Sequence, residues 1–479
     1  MDVAVVGSGP NGLAAAVTLA RAGLSVRVYE AEDTIGGGAR TAELTLPGFH
    51  HDICSAVHPM ALASGFFRRF ELERRVDLRL PPVSYGHPLD SGRAAIAYRD
   101  LARTADRLGR DGAAWSRLMG PLARRADRVA RFTGSQLLQV PTDPMVAAMV
   151  GLRAIEQGTA AWNLRWTDDA APALLAGVAA HTIQPMPSLA SAGAGLALAT
   201  YAHARGWPIP VGGSQSIVEA MVDDLVTHGG DVITGARIDS LDALASARAV
   251  VLDVTPRALI RLAGARMPEG YRRALSRFRY GNAAAKVDFA LAGPVPWTDP
   301  ALAGAGTVHV GGTRAQIAEA ENTVARGRHS ATPFVLVSQP GVVDDSRAPS
   351  GRQVLWAYTH VPAGSEIDQT EAVTAQIERF APGFRDLVLA TSARTAVEMQ
   401  HHNANYIGGD ISAGAPSALQ LVRRPVLSSA PWRTPMEGVY LGSSSTPPGP
   451  GVTGLPGYYA AREALRHSFG IDRMPRLGL

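Results

Sequence analysis

Cysteine is nearly absent from this chain: of 479 residues only Cys54 carries a thiol. One thiol excludes an internal disulfide, a CxxC redox pair and any cysteine-rich metal site. Lysine is as scarce, since Lys and Arg total 46 and Lys286 is the single lysine. Neither sign of charge dominates, because 42 acidic residues leave a net charge of only +4. The basic residues form no concentrated stripe with interleaved aromatics, so nucleic acid is not an expected partner. No apolar run reaches the 18 or more residues that a membrane-spanning helix needs. The most apolar stretch, 189–202, is rich in small residues and broken by Ser191 and Thr200. It reads as a buried helix, with a substrate-lining or membrane-dipping surface as the alternative. No secretory leader is read ahead of the first strand, so a cytoplasmic location is expected, with peripheral membrane contact as the variant of that reading.

What is present is an ordinary globular composition, 46% hydrophobic and 18% charged, long enough for two or three domains. The opening "VAVVGSGPNGLAAAVTLARAGLSVRVYEAED" carries the clearest signal. Val3-Ala4-Val5-Val6 reads as a buried strand, Leu13 to Ala20 as a helix ending at Gly23, and Ser25 to Tyr29 as a second strand delivering Glu30. Between strand and helix stand Gly7, Gly9 and Gly12, with Pro10 and Asn11 in the turn. This order is the complete dinucleotide-binding fingerprint. Gly7 permits the tight turn, Gly9 the approach of a pyrophosphate, and Gly12 close packing of helix on strand. The helix N-terminus offers unpaired N–H groups to the phosphates. Glu30, followed by Ala31, can accept from ribose hydroxyls, and its charge disfavours a 2′-phosphate.

The run Gly36-Gly37-Gly38, with Arg40 and Thr41, follows closely. With it the chain resembles the glutathione-reductase-like FAD superfamily, in its amine oxidase and phytoene desaturase branch. The resemblance places a second phosphate contact here, with Gly37, Gly38 and Thr41 at the turn. Gly38 stands where that branch carries arginine, and Arg40 is the substitute. In the segment from Trp207 to Leu241 it implies a residue whose backbone meets the adenine, at Ile238. In "GVYLGSSSTPPGPGVTGLPGYYAAREAL" it implies contacts from Ser443, Gly451, Val452, Thr453 and Gly454, the last three heading a helix over Tyr458 to Leu465. Gly449 and Gly457 are expected to let backbone pass close to a flat ring. The stretches "YGNAAAKVDFALAGPVPW", "QIERFAPGF" and "NANYIGGDISAGA" extend the resemblance to phytoene-desaturase-like flavoproteins along nearly the whole chain.

The expected fold class is α/β. A Rossmann-like FAD domain is assembled from residues 1–75, 205–258 and 436–479, and an α+β substrate domain from 76–204 and 259–435. The segment "VHVGGTRAQIAEAEN" lacks the GxGxxG spacing, so no dedicated nicotinamide domain is expected. The expected activity is a dehydrogenase or desaturase moving a hydride between an apolar or polyene-like substrate and the flavin, with oxygen or a quinone as electron acceptor. A redox-neutral isomerase or cyclase, and a flavin-binding scaffold without turnover, are the alternatives. Lys286 is the expected catalytic residue: it shares a strand face with Asp288, opposite Val287 and Phe289, and the resemblance puts it at the flavin's reactive edge. Asn405, Tyr406 and Asp410 are expected around the substrate on the same ground. His50-His51-Asp52 could offer a covalent histidyl attachment. His401-His402 lacks a third ligand, and no metal is expected. Cys54 is read as a small buried residue.

Overall fold

The computed structural model describes residues 1–479. Two large sheets organise it. The first is five-stranded and parallel, in the order Val439–Leu441, Ala249–Leu252, Val3–Val6, Val26–Tyr29, Asp231–Ile233. Its central strands are unbroken apolar runs because both faces are covered. Val3 and Val5 join one core with the helices Pro10–Ala20, Gln215–Thr227 and Leu455–Phe469. Ala4 and Val6 join another with Leu259 and Leu262. The first helix begins three residues earlier than expected, at Pro10, where the ring's fixed φ suits a first helical position and Gly9 serves as N-cap. The last helix is longer than expected, running from Leu455 to Phe469.

The second sheet has seven strands: Val388–Arg394, Ala283–Leu291, Gln353–Val361, Val335–Ser338, Thr307–Val310, Tyr85–Pro88 and Ala94–Ala97. Its last two strands form a hairpin inside the segment that reads as helix-rich, 76–204. Register fixes which face each side chain takes. His309 pairs with Leu336, Leu336 with Tyr358, Tyr358 with Lys286, and Lys286 with Arg394. These five form one row on one face, and two residues along lie Thr307, Ser338, Trp356, Asp288 and Ser392. The opposite face carries Val308, Val337, Ala357, Val287 and Phe289, packed on Val373, Ile377 and Phe380 of the helix Thr370–Phe380. One face is therefore dry core, and the other supplies the floor of a cavity.

Helices between Leu101 and Ala204 cover that floor. The 189–202 stretch is the helix Leu189–Ala204, capped by Ser188, whose hydroxyl accepts from the Ser191 N–H. Gly195 lets it press onto its neighbour, since a Cβ there would stand 2.9 Å from that of Ala179. Ala190, Gly193, Ala194, Ala197, Leu198 and Tyr201 share one helical face and line the cavity. The stretch is a buried helix, as it reads in the sequence, and one of its faces lines the cavity. No helix is long and apolar enough to cross a membrane.

Candidate active site

One cavity of about 750 Å³ runs from the ends of the parallel strands to the floor of the second sheet. Val6, Tyr29, Glu30 and Asp253 stand at or just past the carboxyl ends of three adjacent strands, and Ser443 just past a fourth. That crevice is where open α/β sheets bind ligands. Of the residues singled out from sequence, Gly7, Gly9, Pro10, Asn11, Glu30, Ala31, Gly37, Gly38, Arg40, Ile238, Ser443, Gly451, Val452 and Thr453 line it.

The turn is built as close packing requires. Gly7 has φ +101°, a conformation that favours glycine. A Cβ on Gly12 would lie 2.0 Å from the Gly7 carbonyl oxygen, so Gly12 packs helix on strand and does not face the cavity. Glu30 Oε2 accepts from the Ser8 backbone N–H at 2.9 Å and from the Ser8 hydroxyl, while Oε1 accepts from the Glu32 N–H at 3.0 Å. The carboxylate thus fixes the glycine turn while lining the cavity. Arg40 donates only to neutral oxygens, those of Gly37, Thr34 and His402, and has no carboxylate partner.

Several expected site residues lie elsewhere. The Thr41 hydroxyl donates to Asp52 and accepts from the Gln215 N–H, joining segments outside the cavity. Gly454, with φ +67°, is the N-cap of the last helix, where a Cβ would meet Phe66 and Ala14. Gly457 serves helix packing rather than a ring, since its Cβ would lie 1.7 Å from the Asn11 carbonyl oxygen. Asp410 does not reach the cavity, because it accepts from the N–H groups of Gly281, Ser412 and Gly414. Asn405 and Tyr406 do line it. Neither His50 nor His51 lines it; His51 is buried against Thr45 and stands 3.6 Å from Asp288. The histidines in the wall are His58 and His181. No group of three or more metal-ligating side chains exists.

Lys286 lies one layer beneath the wall. It is fully buried, its ammonium bonded to Asp288 and 5.6 Å from the ring centre of Trp356, which lines the cavity. Burial lowers the lysine's pKa, against the raising effect of Asp288, and burial raises that of Asp288. Cys54 lines the cavity above them, and burial pushes its thiol up, so it stays protonated.

Asp253 is a cavity-lining carboxylate that sequence reading passed over. It accepts from the Gly12 N–H at 2.9 Å and faces the cavity beside Glu30. Burial, with the charge of Glu30 as a lesser cause, pushes its carboxyl up to about 7. Its signal in the sequence is positional, because it follows the strand on one side of Val3–Val6 as Glu30 follows the strand on the other.

These features fit a flavin dinucleotide. Gly9 and Gly37 approach so closely that a Cβ on Gly37 would lie 3.1 Å from the Gly9 Cα, leaving a backbone-walled cradle. Asn11 Oδ1 is buried at this wall with no partner, and Arg40 has no acid to neutralise it. Glu30 and Ile238 line one part of the crevice, where they would meet the ribose and adenine of a bound dinucleotide, and Gly451 to Thr453 precede the C-terminal helix.

The sequence matches the family described as flavin containing amine oxidoreductase over residues 11–454. It is 25% identical to pyridine nucleotide-disulfide oxidoreductase domain-containing protein 2 of Rattus norvegicus, over 97% of this chain and 93% of that protein. Among solved structures it shares its fold with putrescine oxidase bound to putrescine, at a TM-score of 0.55 and 17% identity over 98% of this chain and 97% of that one. Cyclohexylamine oxidase from Brevibacterium oxydans has the same fold, at a TM-score of 0.56 and 16% identity over 98% and 99%. The chain belongs to the family of flavin-containing amine oxidoreductases, and it is an oxidoreductase whose cofactor is FAD.

Proposed function

We propose that the protein dehydrogenates a neutral, largely apolar substrate of the polyene-like kind handled by phytoene desaturases, rather than a charged amine. The observation that carries this reading is the placement of acids. The carboxylates lining the cavity are Glu30, Glu32 and Asp253, and all three follow strands of the dinucleotide sheet. The substrate half is walled by Ala190, Ala197, Leu198, Leu336 and Trp356 and offers an ammonium no counter-charge. Burying a cation without a partner costs several kcal/mol, on the order of the penalty for one uncompensated ion.

Bound FAD supplies the acceptor for the substrate's hydride, and oxygen or a quinone then takes the electrons onward. The chain's own residues do the positioning. Leu137 and Leu189 line the cavity while 38% and 45% exposed, so they mark an apolar mouth. The Leu189–Ala204 helix lays small side chains along the path behind it, which admits a long apolar chain and excludes water. Tyr406, whose hydroxyl crowds Gly38, closes the wall between the halves.

Calorimetric titration of the holoprotein at pH 7 with 1-octanol and with octylamine tests the reading. The alcohol should bind at least about tenfold more tightly, since the amine carries its charge into an acid-free site. Equal or tighter binding of octylamine contradicts it.

A further inference from the structure

Several polar atoms of cavity-lining residues lack any hydrogen-bond partner. Trp356 Nε1 and Thr307 Oγ1 are buried and unpaired, and both residues line the cavity. Those two atoms are sealed by their neighbours, and His181 differs from them. Its Nε2 meets Nε2 of His309 at 2.8 Å, a contact that requires one ring to donate and the other to accept. Its Nδ1 bonds nothing, yet it is not sealed in as Nδ1 of His309 is. His181 lines the cavity, and Nδ1 is its only ring nitrogen left without a protein partner.

The pair is held rigidly. His309 rises from the same sheet face as Thr307, two residues along its strand. It is fully buried among Tyr85, Trp207 and Phe334, and Gly177 leaves room for it, since a Cβ there would lie 2.7 Å from that of His309. His181 packs edge-on to Trp207. Burial lowers the pKa of His181 to about 3 and that of His309 well below its ordinary value, so both rings are neutral at physiological pH. A neutral imidazole presents one donor or one acceptor, and the bond between the rings lets its outward nitrogen serve as either.

Polar atoms are nearly always satisfied in a folded chain, so a cavity-lining imidazole with one nitrogen unpaired has hydrogen-bonding capacity to spare. We propose that His181, oriented by His309, binds an uncharged oxygen group, a hydroxyl or carbonyl, carried by the otherwise apolar substrate. This rests on the reading of the substrate as neutral and apolar. The strand of His309 is three strand spacings from that of Lys286, about 14 Å, so the oxygen group sits well away from the lysine end. The substrate is then an amphiphile gripped at one end and oxidised towards the other.

Calorimetry of the FAD-loaded protein with 1-octanol and octane, on the parent, His181→Leu and His181→Asn, decides the matter. His181→Leu should lose about tenfold in affinity for 1-octanol and leave octane unchanged, the effect of one lost neutral hydrogen bond. His181→Asn, whose amide stands near the position of Nδ1, should retain most of the alcohol's advantage. Unchanged alcohol binding in His181→Leu overturns the proposal, as does an equal loss for both ligands, which signals altered packing alone. Failure of octane to bind the parent removes the apolar-cavity reading and this assignment with it.

Discussion

Lys286→Met, combined with Asp288→Leu, should leave the protein folded and yellow while slowing reduction of the flavin by substrate, or its reoxidation, by at least about tenfold, a barrier change of about 1.4 kcal/mol. The double substitution matters because the single one strands Asp288. Removing one partner of a buried ion pair costs about 3–5 kcal/mol, whereas replacing both with apolar groups is often neutral. The ammonium lies in a dry wall beneath Trp356 and near Cys54, with Arg394 next to it in the same row. A fixed charge in such a place acts with little screening on charge that develops in the cavity. Lys286→Arg should not rescue the rate, because a planar guanidinium does not fit a site built around a compact ammonium at full burial. Stopped-flow measurement of both half-reactions, with thermal melts as the folding control, gives the answer. Parent-like rates in the double variant would make the pair a purely structural device.

Glu30→Ala should weaken FAD binding by about tenfold or more while leaving the spectrum of whatever flavin remains unchanged. Charge-assisted hydrogen bonds contribute roughly 1.5–3 kcal/mol each, and the carboxylate faces the cavity at the end of its strand. The structure enlarges the expected loss. The same group holds Ser8 by both its N–H and its hydroxyl, and the Ser8 hydroxyl in turn accepts from the Gly36 N–H. Removing Glu30 therefore loosens both glycine turns that approach the cofactor. Fluorescence titration of apoprotein with FAD measures the effect, and parent-like affinity would remove Glu30 from the site.

The contrast between what was legible and what was not follows from chain distance. Strand, glycine turn, helix, strand and acid occupy the first thirty residues, so each part is visible beside the next. The face shared by Lys286 and Asp288 was equally visible, because alternation along one strand decides it. Its depth was not, since Trp356 and Cys54 arrive from other segments to cover it. The pairing of His181 with His309 joins residues 128 positions apart and leaves no local trace. Gly454 and Gly457 show the reverse error. In a glycine-rich loop, a glycine that lets helices touch reads the same as one that faces a ring, and only the Asn11 and Phe66 contacts separate them. The hairpin of Tyr85–Pro88 and Ala94–Ala97 was hidden because two four-residue strands are too short to show a period.

The most direct test of substrate oxidation is anaerobic titration of the FAD-loaded protein with a neutral apolar amphiphile, following the visible absorbance of the oxidised flavin and the mass of the product. Dehydrogenation predicts stoichiometric bleaching, recovery of colour on admitting oxygen or a quinone, and a product lighter than the substrate by two hydrogens. A product isomeric with the substrate, formed while the flavin stays oxidised, would contradict it.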